Sequence, residues 1–169
     1  MVKNINEKTY QIIDNFLDVE YYSDLKKFLH SEDLQWFYRD KNTDSAEDCF
    51  FTHSFFNNFQ QGPYNDYLKK FYEKIDARAL VCVRANLVVA KENHFYSDWH
   101  TDYIYPNCWT GILYFTTCNG ETHLQINEEQ INIKSIENRL VIFKTSIKHR
   151  MKSQTNTKRR IILNLNYFV

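Results

Sequence analysis

The segment SDWHTDYIYPN (97–107) places His100 and Asp102 two residues apart. In an extended backbone such residues point the same way, so an imidazole and a carboxylate converge on one point. His149 follows 47 residues after Asp102, just beyond the apolar run RLVIF (139–143), where a later strand can return a second imidazole to the same mouth. Two neutral imidazoles and one carboxylate on one face of a metal leave three adjacent coordination positions open, as in non-haem Fe(II) oxygenase sites; zinc hydrolases usually leave one. His-x-acid pairs also arise by chance, and the chain carries a second, His30-Ser31-Glu32. That pair ends an amphipathic helical stretch, where i and i+2 do not share a face and a C-terminal His suits the helix dipole, so it is set aside.

The terminal run KRRIILNLNYFV (158–169) puts Arg160, Ile162, Asn164 and Asn166 on one face and Arg159, Ile161, Leu163, Leu165 and Tyr167 on the other. The first face suits a polar pocket, and the second is apolar enough to pack against helices. An Arg fork grips a carboxylate bidentately where Lys would not. Arg160 is therefore the expected anchor of an anionic ligand, with Arg159 as the alternative. In WTGILYFTTCNGETHLQI (109–126), Tyr114 lies mid-strand, either as a hydroxyl donor to the same carboxylate or as an amphipathic core tyrosine. Thr122 and His123, beyond the turn at Asn119-Gly120, are secondary candidates.

These residues need a scaffold. From Asp18, Val19, Tyr22, Leu25, Phe28 and Leu29 fall on one helical stripe, and a second helix is expected from Pro63 to about Arg78. Residues 34–40 and 49–56 read as accessory strands separated by the polar stretch Lys41 to Asp48. After Ala79 the period becomes two, with strands expected at 80–90, 97–102, 109–117, 122–126, 129–134, 139–144, 147–152 and 159–168. The fold class expected is mainly β (α+β): a double-stranded β-helix or jelly roll with N-terminal flanking helices. The 169 residues fit a single domain, with 1–79 as helices and accessory strands and 80–169 as the jelly-roll core.

The 21 Lys+Arg balance 21 Asp+Glu, which removes the broad electrostatic argument for a nucleic-acid or membrane-surface protein; Lys144, Lys148, Arg150 and Lys152 still cluster near His149. Aromatics at 17% against 3 Gly and 2 Pro favour a packed, strand-rich domain. The four cysteines form no C-x-x-C pair and read as small buried hydrophobes in a reducing compartment. With no signal-like or membrane-spanning apolar stretch, a cytoplasmic protein is expected, in a host cytoplasm if viral.

Taken in order, R-A-N-L (84–87), W-H-T-D (99–102), I-L-Y-F-T-T-x-N-G-x-T (112–122), E-N-R-L-V-I-F (137–143), His149 and T-K-R-R-I-I-L-N-L-N-Y-F (157–168) resemble the 2-oxoglutarate/Fe(II) dioxygenases. The resemblance covers about residues 80–169 and is to the prolyl 4-hydroxylase-like branch, in the small form found in bacteriophages and marine bacteria. It implies His100, Asp102 and His149 as iron ligands, and Arg160 with Tyr114 as the site of the 2-oxoglutarate co-substrate. It also implies dioxygen as oxidant, ascorbate as an accessory reductant, and a hydroxylase acting on a protein or small molecule, with peptidyl proline an analogy only. Arg84 and Asn86 match the family's first barrel strand and share a face with Val88, without an assigned role. The turn departs from the family's Gly-Gly, having Asn119-Gly120. Retention of Asp102 argues against a halogenase.

Two other readings compete. A cupin-like metal-binding or sensing protein would use the same ligands but has no need of a buried Arg fork. An AlkB-like nucleic-acid demethylase would want a basic groove and aromatic platforms, against which the neutral charge counts. Prime-substrate contacts are expected from loops at Arg39 to Asp48 and Lys91 to Ser97.

Overall fold

The period-two and period-3.6 patterns become strands and helices in the computed structural model, which describes residues 9–41, 49–57, 59–103 and 105–169. In chain order the elements are β1 (Tyr10–Ile13), α1 (Val19–His30), β2 (Phe37–Arg39), β3 (Phe50–Asn57), β4 (Gln60–Gln61), a 3-10 turn (Asn65–Leu68) and α2 (Lys69–Ile75). The core strands follow: β5 (Ala79–Val89), β6 (Cys108–Tyr114), β7 (Glu121–Ile126), β8 (Glu129–Lys134), β9 (Leu140–Lys144), β10 (His149–Lys152) and β11 (Arg159–Phe168). Eight strands form one sheet, ordered β1-β9-β6-β11-β5-β3-β2 with β4 on β3, and three form a second, β10-β7-β8. The architecture is a mainly β jelly roll of antiparallel sheets.

Alternation along each strand decides what lies where. On β11, Ile161, Leu163, Leu165 and Tyr167 join Leu113 of β6 beneath Tyr22, Leu25 and Leu29 of α1 and Phe71 and Ile75 of α2. Each such burial contributes about 1.5–3 kcal/mol. A Cβ at Gly111 would lie 3.2 Å from Ile75 Cδ1, so the absent side chain seats α2. On the other face, Ile112 and Tyr114 of β6 and Val141 and Phe143 of β9 meet Leu124 and Ile133 of the small sheet. A cleft opens between the two sheets.

Several boundaries differ from the sequence expectation. The second helix is shorter than 63–78, because Tyr64 sits at φ 61°, the next turn is 3-10, and Asp76 at φ 58° ends α2. Residues 97–102 form no strand ladder; in place of one, this part of the chain has the isolated backbone bridges Tyr96–Lys152 and His100–His149 to β10. Side chains replace the missing ladder bonds, since the Met151 N–H donates to Ser97 Oγ at 2.9 Å. The strands β1 and β4 are too short to carry a periodic signal. Most of the polar stretch 41–48 lies outside the described residues.

With few glycines, the chain makes its left-handed turns largely from Asn15, Asn107, Asn127 and Asn138, whose short amides tolerate that conformation. All four cysteines are free. Among the described residues no helix is long and apolar enough to cross a membrane.

Candidate active site

The two histidines meet through their backbones. The His100 N–H donates to the His149 carbonyl at 3.0 Å and the His149 N–H returns the bond at 2.9 Å. This single bridge brings the rings to 4.4 Å between centroids. One ligand atom from each of His100, Asp102 and His149 lies within 4.8 Å of the others. The structure brings together the three residues singled out from the sequence by a partly different route: a bridged, extended segment takes the place of a full strand.

Hydrogen bonds orient all three groups. His100 Nδ1 lies 3.0 Å from the Asp98 carbonyl and His149 Nδ1 lies 3.1 Å from the Ile147 carbonyl. A carbonyl only accepts, so each Nδ1 carries a proton, which leaves Nε2 as the nitrogen each ring can offer a metal. Asp102 Oδ2 accepts from Asn166 Nδ2 at 2.7 Å and from Thr110 Oγ1 at 3.1 Å, while Oδ1 stands 3.6 Å from His149 Nε2. Burial pushes the Asp102 carboxyl up, but the His149 ring, the Asn166 amide and nearby His100 outweigh it and hold the group well below the usual carboxylate range. Burial pushes His149 down, and the Asp102 carboxylate reverses this to a net rise. The trio is thus a partly buried, pre-oriented donor set.

Thr110 and Asn166 were not singled out as supports by sequence reasoning. Both share the interior face of their strands with Tyr114 and Arg160, which was legible, but their convergence on Asp102 required the β6–β11 pairing of Asn166 with Thr110. Asn166→Leu, which removes one donor to Asp102, is expected to weaken divalent-metal binding by about 10–100-fold without abolishing it, measured by anaerobic Co(II) titration. Unchanged affinity would mean that Asp102 needs no such orientation.

The trio lines a cleft of about 620 Å³, counting the space open at its mouth, and Arg160 lines the same cleft. Arg160 is 1% exposed. Its Nε lies 3.3 Å from Ser135 Oγ, Nη2 lies 3.3 Å from Thr122 Oγ1, and Nη1 lies 3.4 Å from the carbonyls of Glu121 and Lys152. These are long bonds to neutral acceptors, and among the described residues no carboxylate pairs with this guanidinium. A buried charge without a counter-ion is costly, which marks the position as built for an anion that arrives from outside. A Cβ on Gly120 would stand 3.2 Å from Arg160 Cδ and from the Lys152 carbonyl. Gly120 thus serves close packing around Arg160, and it needs no positive φ.

Tyr114 is wholly buried; its hydroxyl donates to Thr122 Oγ1 at 2.8 Å, and Arg160 Cζ lies 5.5 Å from its ring centre. Of the secondary candidates, Thr122 lines the cleft, whereas His123 turns away to Glu121 at 2.7 Å. Arg159 is exposed and donates to His30 Nδ1 at 2.8 Å, on the helix side of the sheet. Arg84 and Asn86 both line the cleft. Of the loops expected to contact substrate, Ser97 lines it too, while 42–48 lie outside the described residues. Arg150, near His149, is sandwiched between Tyr96 at 4.8 Å and Trp99 at 4.5 Å, and Lys152 pairs with Glu121 at 3.5 Å.

No protein-family model and no curated protein sequence matches the chain. Solved structures do. A prolyl-4-hydroxylase from Pseudomonas putida superposes with a TM-score of 0.73 at 10% identity, covering 99% of this chain and 97% of the other. A Trichoplax adhaerens prolyl hydroxylase in complex with a hypoxia inducible factor peptide fragment gives 0.69 at 15% identity, over 97% and 85%. HygX from Streptomyces hygroscopicus, solved with nickel, 2-oxoglutarate and hygromycin B, gives 0.65 at 8% identity, over 96% and 84%. At these identities the likeness is one of fold, and the chain has the fold of the 2-oxoglutarate/Fe(II) oxygenases, in the form seen in the prolyl 4-hydroxylases.

Proposed function

We propose that this protein is an Fe(II)- and 2-oxoglutarate-dependent oxygenase, a hydroxylase in its outcome. In this reading His100, Asp102 and His149 hold the iron, Arg160 holds the distal carboxylate of 2-oxoglutarate, and Tyr114 supports that end through Thr122. Residues 80–169 are the catalytic core of one domain that 1–79 buttress. The observation that carries the reading is Arg160: a buried guanidinium with only neutral partners, in the same cleft as a His-Asp-His donor set. A metal-binding or sensing protein has no use for that fork. A nucleic-acid demethylase is disfavoured because Arg150 and Lys152 of the basic cluster are engaged within the protein.

The bound iron and 2-oxoglutarate would supply oxidative decarboxylation to succinate and carbon dioxide, coupled to insertion of one oxygen atom of O2 into a substrate C–H bond. The chain's own residues do the positioning. The Asp98 and Ile147 carbonyls orient the two imidazoles, and Asn166 and Thr110 hold the Asp102 carboxylate in place. Arg160, clamped between Ser135 and Thr122, sets one end of the co-substrate, and its burial excludes water from that end.

Anaerobic addition of Fe(II) and 2-oxoglutarate to the purified protein is expected to give a weak visible charge-transfer band. The absence of a band at saturating ligand would overturn the co-substrate assignment.

A further inference from the structure

The cleft holds a second guanidinium that the proposed chemistry leaves unused. Arg84 lines it from β5, and among the described residues its side chain makes no hydrogen bond or ion pair; its Nε is buried without a partner. Across the strand pair Arg84 stands opposite Asn164, and Arg160 stands opposite Val88, four residues further along β5. At about 3.3 Å per residue the two backbone positions are separated by roughly 13 Å of strand, so the two arginines enter the cleft from different places. Asn164 lines the same cleft, is 9% exposed, and leaves its Oδ1 buried without a donor. Asn86, next on that face of β5, is held by the Thr52 hydroxyl at 3.0 Å.

This is an unusual patch to leave unsatisfied. The Arg84 Nε and the Asn164 Oδ1, on paired residues in one cleft, are buried polar atoms without partners among the described residues, and each costs free energy until a ligand or water completes it. An Arg fork is complementary to a carboxylate, and an N–H or O–H beside that carboxylate is complementary to Asn164. Resting on the oxygenase reading above, we propose that the prime substrate is a small carboxylic acid with a donor beside its carboxylate, a free α-amino or α-hydroxy acid. Arg84 grips the carboxylate and Asn164 receives the neighbouring donor. The lining at this end of the cleft is polar, with Arg84, Asn86 and Asn164, and it matches a charged carboxylate better than a peptide's capped, uncharged backbone.

The test is substrate-stimulated succinate release from 2-oxoglutarate by the iron-loaded full chain. The probes are the twenty free α-amino acids, a set of α-hydroxy acids, the primary amides of both sets, terminally capped peptides, phosphomonoesters and neutral sugars. At least one free acid is expected to stimulate, with kcat/KM more than tenfold above its own amide, and the comparison of amino with hydroxy acids identifies the source of the donor. In Arg84→Gln the acid-over-amide preference is expected to collapse toward unity, chiefly through a rise in KM for the acid. Arg84→Lys, which keeps the charge but not the fork, should recover part of it. Stimulation by none of the acids, better stimulation by capped peptides, phosphomonoesters or sugars, or an acid-over-amide preference that survives in Arg84→Gln overturns the proposal. A wild type that lacks the anaerobic visible band fails the oxygenase reading itself; a wild type with the band but without acid selectivity fails only this one.

Discussion

Arg160→Met is expected to raise the half-saturating concentration of 2-oxoglutarate by about a hundredfold or more while leaving the ligand-free protein as stable as wild type, or more so. The two halves have one cause. Removing a buried, charge-assisted partner of a carboxylate costs about 2–5 kcal/mol of binding, which is a factor of roughly thirty to several thousand. In the ligand-free protein the same guanidinium has only neutral acceptors at 3.3–3.4 Å. Burial pushes its pKa down, a sign that the charge is held at a cost. A methionine of similar length fills the space without that cost, and replacing unpaired buried charge by apolar volume is often neutral or stabilising.

The measurement is a pair of thermal melts, with and without 2-oxoglutarate and Co(II), beside a titration of the visible band. Wild type should gain about 2.7 kcal/mol at a ligand concentration one hundred times its dissociation constant, and the variant should gain almost none at that concentration. Arg159→Met is the control, because Arg159 is exposed and faces His30 on the helix side of the sheet. If Arg159→Met weakened 2-oxoglutarate and Arg160→Met did not, the assignment of the anchor would be reversed.

Replacing His149 by Ala should remove the metal rather than merely loosen it. His149 contributes one of three donors, and losing an orienting group behind a ligand already costs about 10–100-fold, so losing the ligand costs at least ~100-fold. The loss has a second component, because Asp102 is buried and its ionised form depends first on the His149 ring and then on Asn166. Metal content after reconstitution is expected to fall from near one per chain to a small fraction, with the visible band gone. His30→Ala, at the other His-x-acid pair, should keep both. Near-stoichiometric metal in His149→Ala would mean that the cluster is not the metal site.

How much of this was legible beforehand depends on the range of the physics involved. The jelly roll was readable because short β-rich runs follow one another after Ala79, and β11 alternates polar with apolar residues over enough positions to set its facing, whereas β6 and β9 are buried on both faces and show continuous burial instead. The parity that puts Arg160 inside and Arg159 outside is the same property, read one residue at a time. Short elements left no such trace: β1 is four residues long and β4 is two. The helix expected from Pro63 was misplaced because a non-glycine residue at positive φ, Tyr64, carries no reliable local signal.

The sequence by itself determined the chemistry available: two imidazoles, a carboxylate and an arginine fork, in an order a jelly roll can bring together. It did so because residue type and strand parity are local properties. Only the tertiary structure decided that His100 and His149 meet through one reciprocal backbone bridge, and that Asn166 and Thr110 share the work of holding Asp102. It also decided that, among the described residues, no carboxylate pairs with Arg160 and the buried Arg84 Nε finds no partner opposite Asn164. These are facts about which strands pair and what is missing beside a group, and they depend on residues up to 80 positions apart in the chain, as Arg84 and Asn164 are in the β5–β11 ladder. The site's parts can therefore be named from composition and order, while its unsatisfied groups, which indicate what the site is built to receive, become visible only after folding.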